Sequence, residues 1–93
     1  MSTEPEATFR PERPYRLSDH VVLRPEPFGG LAYDLQTRKL LVLRDPSLVA
    51  VVQRLDEYPS ARAAVSSLAA GRESATIKAL ASLERGGLIR AAG

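Results

Sequence analysis

Two prolines spaced two apart, Pro25 and Pro27, constrain this chain more than any other feature. Proline fixes φ and has no backbone N–H. In an extended chain, residues two apart turn their backbone groups to the same side. One side of this segment therefore lacks donors at successive positions, which requires a bend or the edge of a sheet. Gly29 and Gly30 follow and permit conformations that a Cβ would resist. Beyond that corner the pattern alternates, with Leu31, Tyr33 and Leu35 on one face of a strand and Ala32 and Asp34 on the other. Lys39 to Leu43 is a second apolar run after the polar break Gln36-Thr37-Arg38, which predicts a hairpin. His20 to Arg24, apolar at Val21, Val22 and Leu23, supplies the strand before the corner.

Three helices follow from local signals. Asp45 is placed to cap the first, and Pro46 suits its opening position because a donor there would be unused. Leu48, Val51, Val52 and Leu55 form its apolar stripe, and Pro59 stops it near Tyr58. Ser60 caps a second helix through Ala61, Ala64, Val65 and Leu68 to Gly71. The third begins at Glu73 or Ser74 and ends before Gly86-Gly87, with Ile77, Leu80 and Leu83 toward the core and Lys78, Ser82 and Arg85 along a polar stripe. Tyr15, Leu17, Leu88 and Ile89 are further core candidates.

Ninety-three residues make one domain with a modest core. Residues 1–14 carry three prolines and three glutamates against one bulky apolar side chain, Phe9, and are expected to be a disordered tail before a domain over 15–93. The chain has no Cys, which excludes disulfides, thiolate metal sites and iron–sulfur ligation on its own residues. His20, the one histidine, has no second ligand type clustered in sequence and reads as a strand-end surface residue. No Ser-His-Asp arrangement is recognisable, and Gly29-Gly30 has neither phosphate-loop nor dinucleotide-loop spacing. The expectation is a non-enzyme with no metal and no cofactor. A polar, acidic start and the lack of an apolar run near ~18 residues predict a cytoplasmic protein.

Two binding modes remain. The net charge of +2 sits on the strands and the last two helices, which raises nucleic acid as a ligand. A DNA-reading winged helix would place its third helix in the major groove, with Arg72, Lys78 and Arg85 on phosphates or bases. Its hairpin wing generally follows the recognition helix, whereas here the strands come first. The other mode is strand addition. Lys39, Leu40, Leu41, Val42 and Leu43 are apolar on both faces and form the third strand, a candidate edge for an extended peptide.

The run RPEPFGGLAYD from Arg24 to Asp34, then RKLLVL and an Asp-Pro helix start, resembles the mycofactocin biosynthesis peptide chaperones. These are RiPP recognition elements related to the peptide chaperone of pyrroloquinoline quinone biosynthesis. The resemblance covers roughly Tyr15 to Ile89 and implies an α+β, winged-helix-like domain: a three-stranded antiparallel sheet followed by three helices. It implies a chaperone that binds the leader of the mycofactocin precursor peptide by strand addition and presents it to a radical S-adenosylmethionine maturase. Carried onto this chain, it places Lys39 to Leu43 on one wall of the peptide groove and Lys78, Ser82 and Arg85 on the other. Arg38, Lys39, Lys78 and Arg85 would then suit an acidic leader. Arg24, Glu26 and Phe28 are either a stiff structural corner or a surface for the maturase.

Overall fold

In the computed structural model, which describes residues 9–92, Pro25 lies on the edge of a three-stranded antiparallel sheet. The chain runs β1 (Tyr15–Leu17), β2 (Val21–Glu26), β3 (Gly29–Asp34) and β4 (Lys39–Leu43). Next come α1 (Pro46–Arg54), a 3-10 turn over Leu55–Glu57, α2 (Ala61–Leu68), α3 (Glu73–Arg85) and β5 (Ile89–Ala91). The main sheet has the order β2-β3-β4. The class is α+β, with that sheet ahead of three helices, as expected. A second sheet adds to the expected architecture: β1 pairs with β5, setting Tyr15 opposite Ala91 and Leu17 opposite Ile89. Arg16 and Arg90 face each other there, and Asp19 lies between them, 2.9 and 3.4 Å from the two guanidinium groups. One carboxylate thus relieves a like-charge cross-strand pair.

The glycine corner lets α1 sit directly on the sheet. Gly29 has φ 144°, and a Cβ there would run into the Leu43 carbonyl oxygen and the Asp45 nitrogen. A Cβ on Gly30 would meet Val49 Cγ2 at 2.9 Å. Close approach also decides which face of β3 is buried. Ala32 and Asp34 point inward, while Leu31 and Tyr33 stay half-exposed and Leu35 is exposed. The larger side chains are on the outside because small ones leave room for the helix.

Asp45 caps α1 as its chemistry predicts, accepting from the N–H groups of Ser47 (2.9 Å) and Leu48 (3.4 Å). Ser60 caps α2 through the Ala63 N–H. That helix ends at Leu68, sooner than the Gly71 stop suggests. Val51, Leu55, Val65, Leu80 and Ile89 are fully buried where α1, α2, α3 and β5 meet. On α3 the buried stripe is Thr76, Leu80 and Leu83; Ile77 is half-buried, at the margin of the core rather than in it.

The segment before β1 corrects the expected tail. Phe9 is buried, with its ring 4.6 Å from that of Tyr15. The Arg10 N–H donates to Tyr15 Oη at 2.9 Å. At the start of α2 the Ala61 and Arg62 N–H groups donate to the Arg13 and Pro11 carbonyls, at 2.9 and 2.8 Å. Helix N-termini leave such donors without intrahelical partners. Residues 9–14 are therefore part of the domain, held by the opening turn of α2 and by an Arg62–Glu12 ion pair at 2.8 Å. Residues 1–8 of the expected tail lie outside the described residues.

Candidate functional site: the open edge of the sheet

The two edges of the main sheet differ in their backbone chemistry. Leu35 N–H donates to the His20 carbonyl at 2.7 Å. With the register of β2 and β3, this sets the doubly bonded pairs at Val22–Tyr33, Arg24–Leu31 and Glu26–Gly29. Val21, Leu23 and Pro25 then turn their backbone groups to the far edge. Val21 N–H is already taken by the Ser18 carbonyl at 3.1 Å, and Pro25 has no N–H. Only Leu23 retains a donor. That edge is almost closed.

The β4 edge is open. By the same alternation Gly30, Ala32 and Asp34 bond to Leu43, Leu41 and Lys39, so Leu40 and Val42 turn N–H and C=O away from the sheet. Among the described residues no strand or helix pairs with them. A tight turn launches this strand. Asp34 Oδ1 accepts the N–H groups of Gln36 (2.9 Å) and Thr37 (3.0 Å), and Arg38 takes φ 63° with its N–H on the Asp34 carbonyl. The Thr37 N–H is the main influence on the Asp34 carboxyl; burial opposes it, while the Gln36 N–H and His20 at 3.6 Å assist. Together they hold it below the usual aspartate range.

Beneath the open edge, between the inner side of β4 and the end of α3, lies a groove of about 310 Å³. Ala32, Asp34, Thr37, Lys39, Leu40 and Leu41 line one side, and Gly86 and Leu88 the other. Ser82, one turn before Gly86 on α3, is exposed and does not line the groove. Arg85 reaches back to Ser82 Oγ at 3.2 Å. Lys78 lines a separate hollow of about 570 Å³ with Phe9, Pro11, Ile77 and Ala81. The side chain of Leu43 is buried in the core. The structure thus brings Lys39, Leu40 and Leu41 to one groove, leaves Ser82 and Arg85 outside its lining, and turns Lys78 toward the N-terminal segment. Arg24 and Glu26 pair at 3.0 Å on the outer side of the sheet, with Phe28 exposed at the adjoining turn. The sequence marks Gly86 as a helix stop and Leu88 as core but neither as a site residue, because where α3 meets the sheet is set by tertiary packing.

A sequence model of the peptide chaperone MftB family matches residues 14–90, which takes in the main sheet, all three helices and all but the last residue of the second sheet. The chain belongs to the MftB peptide chaperone family. The chain is 50% identical over 56 residues to the peptide chaperone MftB of Mycobacterium tuberculosis, a stretch covering 60% of this chain and 51% of that protein. It is 45% identical over 67 residues to the MftB chaperone of Mycolicibacterium smegmatis, covering 70% and 66%. The chaperone of Mycobacterium ulcerans is 46% identical over 56 residues, covering 60% of this chain and 51% of that one. The matches therefore span between half and two thirds of these MftB relatives, all named as peptide chaperones and none as an enzyme. No solved structure matches the chain. No helix among the described residues is long and apolar enough to cross a membrane.

Proposed function

We propose that this chain is a peptide chaperone that takes up the leader of a mycofactocin precursor peptide as an added strand along β4 and presents it to a radical S-adenosylmethionine maturase. The observation that carries this reading is the asymmetry of the sheet: β2 has one outward donor left at Leu23, whereas β4 offers complete backbone sites at Leu40 and Val42. An extended peptide satisfies such sites through its main chain and draws specificity from its alternate side chains. Side chains pointing inward would fall into the groove between Leu41 and Leu88, floored by Ala32. Lys39 lines that groove, Arg38 precedes it in the chain and Arg85 precedes Gly86, a basic setting that suits a leader rich in carboxylates. Lys78 acts at longer range, from the neighbouring hollow. The maturase carries the iron–sulfur chemistry, since this chain has no Cys to hold a cluster.

The test is a titration of the full chain with the precursor peptide encoded beside it, with a duplex DNA control. Saturable binding of the peptide and none of the DNA is the expected result. Salt-sensitive binding of DNA with no uptake of peptide overturns the reading.

A further inference from the structure

Side chains alternate across the main sheet, so β4 has two sides that do different things. Lys39 and Leu41 point to the groove side, whereas alternation sends the side chains of Leu40, which also lines the rim of the groove, and Val42 to the outer face. Register aligns Val22, Tyr33 and Leu40 in one row across three strands, and Leu31 and Val42 in the next. α1 packs on the inner face, against Gly30. Among the described residues nothing covers the outer one: Val22 is 52% and Leu40 57% exposed, and Val42 and Phe28 are exposed beside them. Contiguous apolar exposure on this scale in a small domain marks an interaction surface.

The charges around the patch say what fits it. Arg24 flanks it at the corner end, Arg44 follows β4 at that same end, and Arg38 stands at the opposite end, in the β3–β4 turn. Among the described residues the one carboxylate on this face, Glu26, is held by Arg24 at 3.0 Å. A second copy stacked face to face by a two-fold axis would bring arginines against arginines, which is unfavourable once solvent is excluded. A different protein, with an apolar centre ringed by carboxylates, complements both features.

We infer that the outer face of the sheet docks a second folded protein while the peptide lies along β4; given the function proposed above, on which this rests, that protein is the maturase. An added strand extends the sheet, and paired residues on neighbouring strands share a face. Peptide residues opposite Leu40 and Val42 therefore join the outer face, flush with those side chains. A partner docked there touches chaperone and peptide together, so it binds the loaded chaperone more tightly than the empty one.

Val22→Glu tests this in the full chain, because Val22 lies two strands from the open edge and is exposed. The probes are the precursor peptide and the radical S-adenosylmethionine enzyme encoded with it. The expected result is peptide affinity within about twofold of wild type and enzyme affinity reduced about tenfold or more. In the wild-type protein, the methyl resonances of Val22, Leu40 and Val42 shift when the enzyme is added. Unchanged enzyme affinity in a folded variant overturns the inference, as do unshifted methyls, or a wild-type dimer that Val22→Glu splits. If the wild-type chain takes up no peptide, the function proposed above fails. The Val22 comparison still reads enzyme docking by itself and decides this inference separately.

Discussion

Asp45 and Arg72 join the starts of two helices: one oxygen of the carboxylate caps α1, and the other meets the Arg72 guanidinium at 2.6 Å, just before α3. Burial raises the pKa of this carboxyl, but the Arg72 guanidinium and the N–H groups of Leu48 and Ser47 outweigh it and hold the group below its usual range. A depressed folded-state pKa contributes stability that is present above the unfolded value of about 3.9 and lost as pH falls through the folded one. Asp45→Ala should cost about 1 kcal/mol at pH 7, mostly from the cap, since Arg72 is half-exposed. The gap to wild type should narrow below about pH 4. Urea unfolding at pH 7 and pH 3 measures both.

Proline scanning of β4 should separate edge from ladder. Leu40→Pro and Val42→Pro each remove an outward N–H and should weaken peptide uptake by about 0.5–1.5 kcal/mol, two- to tenfold, while the fold persists. Leu41→Pro removes a donor that bonds to Ala32 and should destabilise the domain itself. Peptide titration beside circular dichroism of each variant checks this pattern. Normal binding by folded Leu40→Pro and Val42→Pro variants would remove the edge from consideration.

Charge reversal should distinguish the groove from the neighbouring hollow. Lys39→Glu and Arg85→Glu should weaken an acidic peptide by about two- to fivefold each at low salt. Added salt should flatten the difference from wild type. Lys78→Glu, in the hollow beside Phe9, should have the smallest effect of the three. Titrations at two ionic strengths provide the comparison, and equal losses from all three would place the peptide across both regions.

Phe9→Ala should cost about 3 kcal/mol, because a buried aromatic ring against Tyr15 is removed and the site collapses only in part. A residue in a mobile tail would cost nothing measurable. Chemical denaturation followed by far-ultraviolet circular dichroism gives the number.

Much of this architecture is legible in the sequence because its signals are local. Asp45-Pro46, Ser60 and Gly86 mark helix boundaries through backbone donors and φ preferences that act within a turn, and α1 and α2 begin, and α3 ends, where those residues say. Pro25 and Pro27 likewise announced a bend or a sheet edge; Pro25 lies on the edge and Pro27 in the turn after β2. Other features depend on partners far along the chain. The β1–β5 pair joins strands of three residues each, too short for alternation to stand out. Phe9 is lone in a polar segment, and only the start of α2 and the ring of Tyr15 make it core. The choice between Leu31–Tyr33 and Ala32–Asp34 as the buried face of β3 rests on how closely α1 approaches. In the candidate site, the strand was readable from its composition. The opposite wall was not: once α3 is docked, Lys78 lines the hollow beside Phe9, and Gly86 and Leu88 line the groove instead of the polar stripe.

Pro25 also limits what this molecule can build. A sheet with two open edges behaves as a bifunctional monomer: each unit can bond at both ends, and growth has no natural stop. With Pro25 donor-less and Val21 engaged with Ser18, the β2 side keeps one outward donor, at Leu23, and the main sheet is close to monofunctional in strand pairing. One added strand, from a peptide or from another β4, exhausts its valence. Such a protein can hold a sticky edge permanently exposed at high concentration, because the product of any edge-to-edge encounter terminates at two strands' partners rather than propagating into a fibre.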